Sequence, residues 1–335
     1  MINRRDFIKG SSVLALGAMV GCTPKDKRTP EEIAAGIAAS EAAKDKRIGL
    51  QIYSLGPELY AGDLSANLKR LKDMGFTTLE LAGYNVADST VGGVPMMDFK
   101  KAVEDCGLEI VSSHANPPEL FAGVAGRENK GKDGRFSESL KASILESWKK
   151  MADDHAKMGI PYLVEPMMPV LSSKEEVLSF CDMLNASGEV VKASGVKFGY
   201  HNHNMEFAKV VPGGTKAQLG TIFDSIPGEK IFDLFLANTD PANVLFEMDV
   251  YWTVMGQNDP VEYLREHADR IKLLHIKDRV VLGQSGMMNF KNIFDQFYAN
   301  GGTDFFVEVE DIDSGKQFER VEGSVKYLKE STFVK

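Results

Sequence analysis

Cysteine is scarce in this chain, with only Cys22, Cys106 and Cys181 in 335 residues. Cys106 and Cys181 fall in predicted helices far apart in sequence, so neither a disulfide framework nor a cysteine-rich metal motif can be built from them. Basic stripes are also missing. The net charge of -9 excludes a nucleic-acid surface. Beyond the first two dozen residues no apolar run is long enough to cross a bilayer. The first candidate strand runs into Tyr53-Ser54-Leu55-Gly56-Pro57, not into a G-x-G-x-x-G turn, which argues against a doubly wound nucleotide-binding sheet.

The front of the chain reads as a targeting segment. A charged start containing Arg4-Arg5, Phe7 and Lys9 leads into the weakly apolar run Ser12 to Val20, too short for a mature membrane span. The paired arginines resemble a twin-arginine export signal. The run closes on Met19-Val20-Gly21-Cys22, similar to a lipoprotein cleavage box with Cys22 as the lipidated residue. Residues 1–22 are therefore expected to be the signal, with a soluble exported form as the alternative to a membrane-anchored lipoprotein in the periplasm. Residues 23–46, rich in Lys, Asp, Glu, Pro and Ala, read as a tether with some helix in Glu31 to Lys44. Residues 47–335 remain for one folded domain.

That length suits a (β/α)8 barrel, and the segment pattern selects it. Short apolar runs recur, each followed by an amphipathic helical stretch, which implies parallel strands with crossover helices. Eight candidate strands are expected at 48–53, 77–81, 108–114, 162–166, 196–203, 244–249, 271–275 and 305–309. Helices are expected around Leu64 to Leu71, Phe99 to Val103, Leu140 to Met158, Lys174 to Ala193, Pro260 to His267, Phe290 to Ala299 and Phe318 to Leu328. Several end at glycine, as in Met74-Gly75 and Met158-Gly159, where a left-handed residue stops a helix. Two insertions, 116–136 and 204–230, are placed to rise from the C-terminal face as lids.

Nearly every strand ends in a polar or ionisable residue that a buried strand has no structural use for. Strands two to four give Glu80, His114 and Glu165. Strand five ends in His201-Asn202-His203 with Glu206 beyond, strand six in Glu247 and Asp249, strand seven in His275-Ile276-Lys277-Asp278, and strand eight in Glu308 and Glu310. In a parallel barrel these ends meet in one mouth. So many carboxylates together would repel one another, and a divalent cation resolves the repulsion. The mixed oxygen and nitrogen set suits Mn²⁺, Mg²⁺, Co²⁺ or Zn²⁺.

Three ordered motifs carry a family resemblance: Gly199-Tyr200-His201-Asn202-His203 with Glu206-Phe207, then Glu247-Met248-Asp249-Val250-Tyr251-Trp252, then Leu274-His275-Ile276-Lys277-Asp278. The chain resembles the sugar phosphate isomerase/epimerase group of xylose isomerase-like TIM barrels (AP endonuclease family 2), related to endonuclease IV, inosose dehydratase and ketohexose 3-epimerases. In those epimerases the metal is held by Glu, Asp, His and Glu from strands five to eight. Asp249, His275 and Glu308 match the last three positions. Strand five offers His201 and His203 where a Glu is expected, so the fourth ligand is Glu165 from strand four, with His201 competing. The endonuclease branch needs more histidine than the 6 present, and near the mouth only Lys277, Arg279 and Arg127 are there to hold a phosphate.

The resemblance implies an isomerase or epimerase that abstracts a proton from a sugar or keto-sugar through a metal-stabilised enediolate. His201 or His203 would be the base and Lys277 the acid or charge stabiliser. Glu80, His114, Glu206 and Trp252 would bind substrate, with Tyr53 or Phe207 also available to stack. A 3-keto-glycoside lyase or hydratase, and a non-catalytic glycan-binding lipoprotein, are the alternatives.

Overall fold

The structure is a computed structural model that describes residues 29, 46–121, 131, 133–210, 218–219, 227–310 and 315–335. The expected signal, Cys22, most of the tether and Arg127 lie outside these residues. Eight parallel strands close into a barrel: β1 (Gly49–Gln51), β2 (Thr78–Leu81), β3 (Glu109–His114), β4 (Tyr162–Glu165), β5 (Lys197–His201), β6 (Val244–Asp249), β7 (Ile271–Ile276) and β8 (Asp304–Val307). Each pairs with its sequence neighbours, and β8 closes on β1 through Gly49 opposite Phe306.

The helices follow the expected alternation: α1 (Leu64–Met74), α2 (Met96–Asp105), α3 (Glu138–Met158), α4 (Lys174–Ala193), α5 (Ile231–Asn238), α6 (Val250–Met255), α7 (Pro260–Glu266), α8 (Phe290–Ala299) and α9 (Gln317–Glu330). Their starts are set by side-chain caps. Asp63 Oδ1 accepts from the Ser65 amide at 2.9 Å, and Ser137 Oγ accepts from the Leu140 amide at 3.2 Å, satisfying donors that the first turn leaves open. Gly75 (φ 113°) and Gly159 (φ 71°) end α1 and α3 in the left-handed region, which a β-carbon would strain.

Two differences from expectation concern the connections that follow strands. After β2, residues 84–95 form a small antiparallel sheet that no sequence signal announced. After β5, the described parts of the 204–230 insertion include Ala208–Val210, paired antiparallel with Gln218–Leu219 and Glu229–Lys230. Helix α5 follows it. Its sequence, Ile-Phe-Asp-Leu-Phe-Leu-Ala-Asn, is short and apolar on most sides, so it carries little helical periodicity.

Strand alternation divides the side chains into two layers. One face of the sheet packs against the helices in a large apolar core that includes Leu50, Leu79, Leu163, Phe198, Phe246 and Leu274. The other face fills the barrel, where Val111, Val164, Leu273 and Phe306 form a small apolar plug. Residues two further along these interior rows, towards the C-terminal ends, are the ionisable ones: His275 follows Leu273, and Glu308 follows Phe306.

Candidate metal centre

The interior rows converge on a group of buried side chains from β5, β6, β7 and the end of β8. His201, Asp249, His275 and Glu308 each offer a ligand atom, and these atoms lie within 4.8 Å of one another. His275 Nδ1 is 3.1 Å from Glu308 Oε2, and His201 Nε2 is 3.7 Å from Asp249 Oδ2. Asp249 serves two purposes. Its Oδ1 accepts from the Trp252 amide at 2.8 Å and so starts α6, which fixes the carboxylate and leaves Oδ2 towards the centre.

Glu165 does not join this group; the residue that stands with Asp249, His275 and Glu308 is His201. The reason is strand parity. Within β4, Val164 packs in the interior plug while Leu163 faces the helices, so Glu165 shares the helix-facing side with Leu163 and stands beside Tyr200 in the β4–β5 register. Burial pushes the Glu165 carboxyl well above its ordinary range, and among the described residues its Oε2 is buried without a hydrogen-bond partner.

Three residues expected to meet substrate are engaged by protein groups. Glu80 is fully buried, with Oε2 2.5 Å from His275 Nε2 and accepting from Gln51 Nε2 at 2.8 Å. Glu206 accepts from the Tyr200 hydroxyl at 2.6 Å and from the His203 amide at 2.9 Å; it shapes the turn that carries His203. His114 Nε2 lies 2.7 Å from Glu247 Oε2, and its ring stacks on His275 with centroids 5.0 Å apart. Glu247 and Gln51 had received no site role from the sequence. Both have the interior parity, Glu247 two residues before Asp249 and Gln51 at the end of β1, and that was the signal available.

His203, Lys277 and Trp252 sit together at the mouth. The His203 ring is 4.9 Å from His201 and 5.9 Å from Trp252. The Lys277 ammonium lies 4.8 Å from the Trp252 ring centroid, 3.0 Å from Glu308 Oε2 and 3.8 Å from Asp249 Oδ2, and it also bonds Glu310. Because β5 ends at His201, His203 leaves the strand and its direction is set by the turn.

Electrostatics separate these groups by role. Burial pushes His203 down to about 4, and His201 well below its usual value with His275 and His203 adding to the effect. Both are neutral imidazoles at pH 7. Burial works against charge on His275 as well, but Glu247, Glu80 and Glu308 outweigh it and hold the ring well above its ordinary value. Glu308 is kept well below the usual carboxylate range by Lys277 and His275 despite its burial. Burial raises Asp249 to about 7.

The unpartnered atoms test whether a cation fits. Among the described residues, Asp249 Oδ2 and both ring nitrogens of His201 are buried without a hydrogen-bond partner, and each such atom costs about 1–3 kcal/mol. A fully buried carboxylate facing a neutral imidazole lone pair is a donor set with nothing to donate to. Two carboxylates and two imidazoles suit a borderline divalent ion, so the residues fit the group that the resemblance implies.

A sequence model of the xylose isomerase-like TIM barrel family matches residues 68–331. The chain belongs to that family. A sugar phosphate isomerase/epimerase from Parabacteroides distasonis is 52% identical, with a TM-score of 0.76 over 87% of this chain and 100% of that one. A second from the same organism is 40% identical, with a TM-score of 0.75 over 87% and 96%. Among curated proteins, inosose dehydratase of Salmonella typhimurium is 30% identical over 106 residues, 32% of this chain and 29% of that protein. The chain thus matches under a third of the length of those curated relatives. The xylose isomerase-like assignment agrees with the closed parallel barrel and with ligand candidates at consecutive strand ends.

Proposed function

We propose that this protein is a divalent-metal-dependent enzyme that removes a proton from the carbon beside a carbonyl in a sugar or keto-sugar. The resulting enediolate leads to isomerisation, epimerisation or elimination. One observation carries the reading: His201, Asp249, His275 and Glu308 place ligand atoms within 4.8 Å of one another beside the neutral His203 and the charged Lys277. A cation held by those four residues supplies Lewis acidity towards a substrate oxygen.

The chain's own side chains supply the rest. His203, neutral at pH 7, takes the proton through whichever ring nitrogen faces the substrate carbon. Among the described residues its Nδ1 has no partner. Lys277 places positive charge where negative charge develops on the substrate oxygen. Trp252 offers a ring face to the sugar's C–H surface and an indole N–H, without a partner among the described residues, to a hydroxyl.

Elimination is the second form of this reading, favoured by the stretch shared with inosose dehydratases. A 3-keto-glycoside is then the substrate class, because a 3-keto group acidifies the neighbouring C–H. The test is solvent-deuterium exchange into keto sugars and 3-keto-glycosides, run beside metal analysis of the purified protein and its Asp249→Ala and His275→Ala variants. Metal and exchange in the wild type, lost in both variants, are the expected result. Unchanged metal content in the variants, or exchange with no member of the panel, would overturn the reading.

A further inference from the structure

His275 has acceptors on both sides of its ring. Nδ1 faces Glu308 Oε2 at 3.1 Å, while Nε2 is 2.5 Å from Glu80 Oε2 and 3.3 Å from Glu247 Oε2. An imidazole that ligates a cation keeps one proton and gives one lone pair. Whichever nitrogen keeps the proton, the other is left to ligate.

The deep side is built to hold that proton. Glu80 is fully buried, and its Oε2 is fixed by Gln51 Nε2 at 2.8 Å. Gln51 is itself held because its Oε1 accepts from the Tyr53 amide at 3.0 Å. Glu247, the other deep carboxylate, is engaged by His114 at 2.7 Å and so leaves Glu80 as the short contact. On the mouth side, Glu308 is already shared with Lys277.

Resting on the reading that His201, Asp249, His275 and Glu308 bind a divalent cation, we infer that Glu80 is the positioning residue of that centre. It accepts the Nε2 proton of His275, sets the ring's tautomer and rotation, and turns the Nδ1 lone pair to the cation. Gln51 holds Glu80 in place, and Glu247 with His114 forms the back wall. A carboxylate behind a ligating imidazole raises its basicity and fixes its aim, and losing such a partner weakens metal affinity 10–100-fold.

The same four deep residues, Glu80, His114, Glu247 and His275, also bring ligand atoms within 4.8 Å of one another. A second cation there would require His275 to bridge two ions with both nitrogens deprotonated. The short Glu80–His275 and Glu247–His114 contacts instead describe a hydrogen-bonded wall.

Mn²⁺ titration of chelator-stripped full-length protein by calorimetry separates these cases. The wild type is expected to bind one Mn²⁺. Glu80→Ala should bind it 10–100-fold more weakly, with Glu80→Gln in between, because the amide oxygen still accepts from Nε2. Wild-type affinity in both variants, or a drop only in their cation-free melting temperature, would overturn the inference while leaving the centre intact. Two Mn²⁺ in the wild type and one in Glu80→Ala would also overturn it, in favour of a deep second site. No Mn²⁺ bound by the wild type would overturn the reading beneath it as well. If Glu80→Ala does not fold, Glu80→Gln decides alone.

Discussion

Among the regions that bury ionisable side chains, two satisfy them in opposite ways. Asp154 on α3 is only 4% exposed, yet both of its oxygens are engaged: Oδ2 accepts from Tyr84 and Ser89 hydroxyls at 2.7 Å and from Lys150 at 2.8 Å, and Oδ1 accepts from Lys157 at 2.9 Å. The barrel mouth buries more charge and leaves it less finished, with Asp249 Oδ2, Glu80 Oε1, Glu247 Oε1 and both His201 nitrogens unpartnered among the described residues. A buried carboxylate with both oxygens bonded to protein donors is structure. Buried atoms left open around one point, at the end of the barrel where such folds work, indicate a place for a ligand.

Size alone would not have distinguished the functional end. A cavity of about 480 Å³ opens among the N-terminal ends of β4 to β7, with Lys192, Asn243, Asp269 and Lys272 on its walls. Lys192 is bound to the Ala242 carbonyl and Lys272 to the Ala268 carbonyl. In barrels of this kind that pole serves stability.

The largest expected effect breaks the comparison at the mouth. Asp249→Asn keeps the helix cap, since an amide oxygen still accepts from Trp252, but removes the carboxylate from the centre. Solvent-deuterium exchange should fall on the order of a thousandfold, while the cation-free melting temperature holds or rises because a buried unpartnered oxygen is relieved. Retained exchange with lowered stability would move Asp249 into the same class as Asp154.

Much of this arrangement was legible in the sequence, and the exceptions have physical reasons. The eight strands follow from apolar runs that end in ionisable residues, whereas the choice of Asp249, His275 and Glu308 among those residues rested on the family resemblance. Glu165 was misplaced because β4 is apolar on both faces, as parallel barrel strands are. Its sequence Tyr-Leu-Val-Glu states which residues share a side but not which side is interior. Glu80 was readable as an inward strand end. Its partner His275 lies 195 positions away, so the pairing required the closed barrel. The Asp154 network was invisible for the same reason, since Tyr84 and Ser89 come from the small sheet after β2.

The next effect is a pH dependence beside that network. His155 is buried, with Nδ1 2.7 Å from the Met151 carbonyl and Nε2 unpartnered, and burial pushes it from 6.5 down to about 4. Between those values the unfolded chain binds the proton and the folded chain does not, so stability falls as pH falls through that window. The loss attributable to this ring reaches about 3 kcal/mol near pH 4 and grows no further below it. In His155→Gln, denaturant unfolding from pH 7 to 4 should show a correspondingly flatter decline. A slope equal to the wild type's would place the acid sensitivity elsewhere.

The smallest effect tests whether Asp154 is structural in the sense argued. Asp154→Ala removes an acceptor shared by four donors, two of them hydroxyls tied to the small sheet, and should destabilise the fold by about 2 kcal/mol. Asp73→Ala supplies the contrast. Its ion pair with Lys69 is 2.7 Å long, but the two side chains are 62% and 67% exposed, and such an i,i+4 pair contributes only about 0.3–0.5 kcal/mol. Chemical unfolding of both variants, with Mn²⁺ affinity measured in parallel, should show unequal stability losses and no change at the metal. If Asp154→Ala weakened Mn²⁺ binding, the two buried-charge regions would be coupled through the β2–α2 connection, and the division between finished and open charge would no longer separate structure from function.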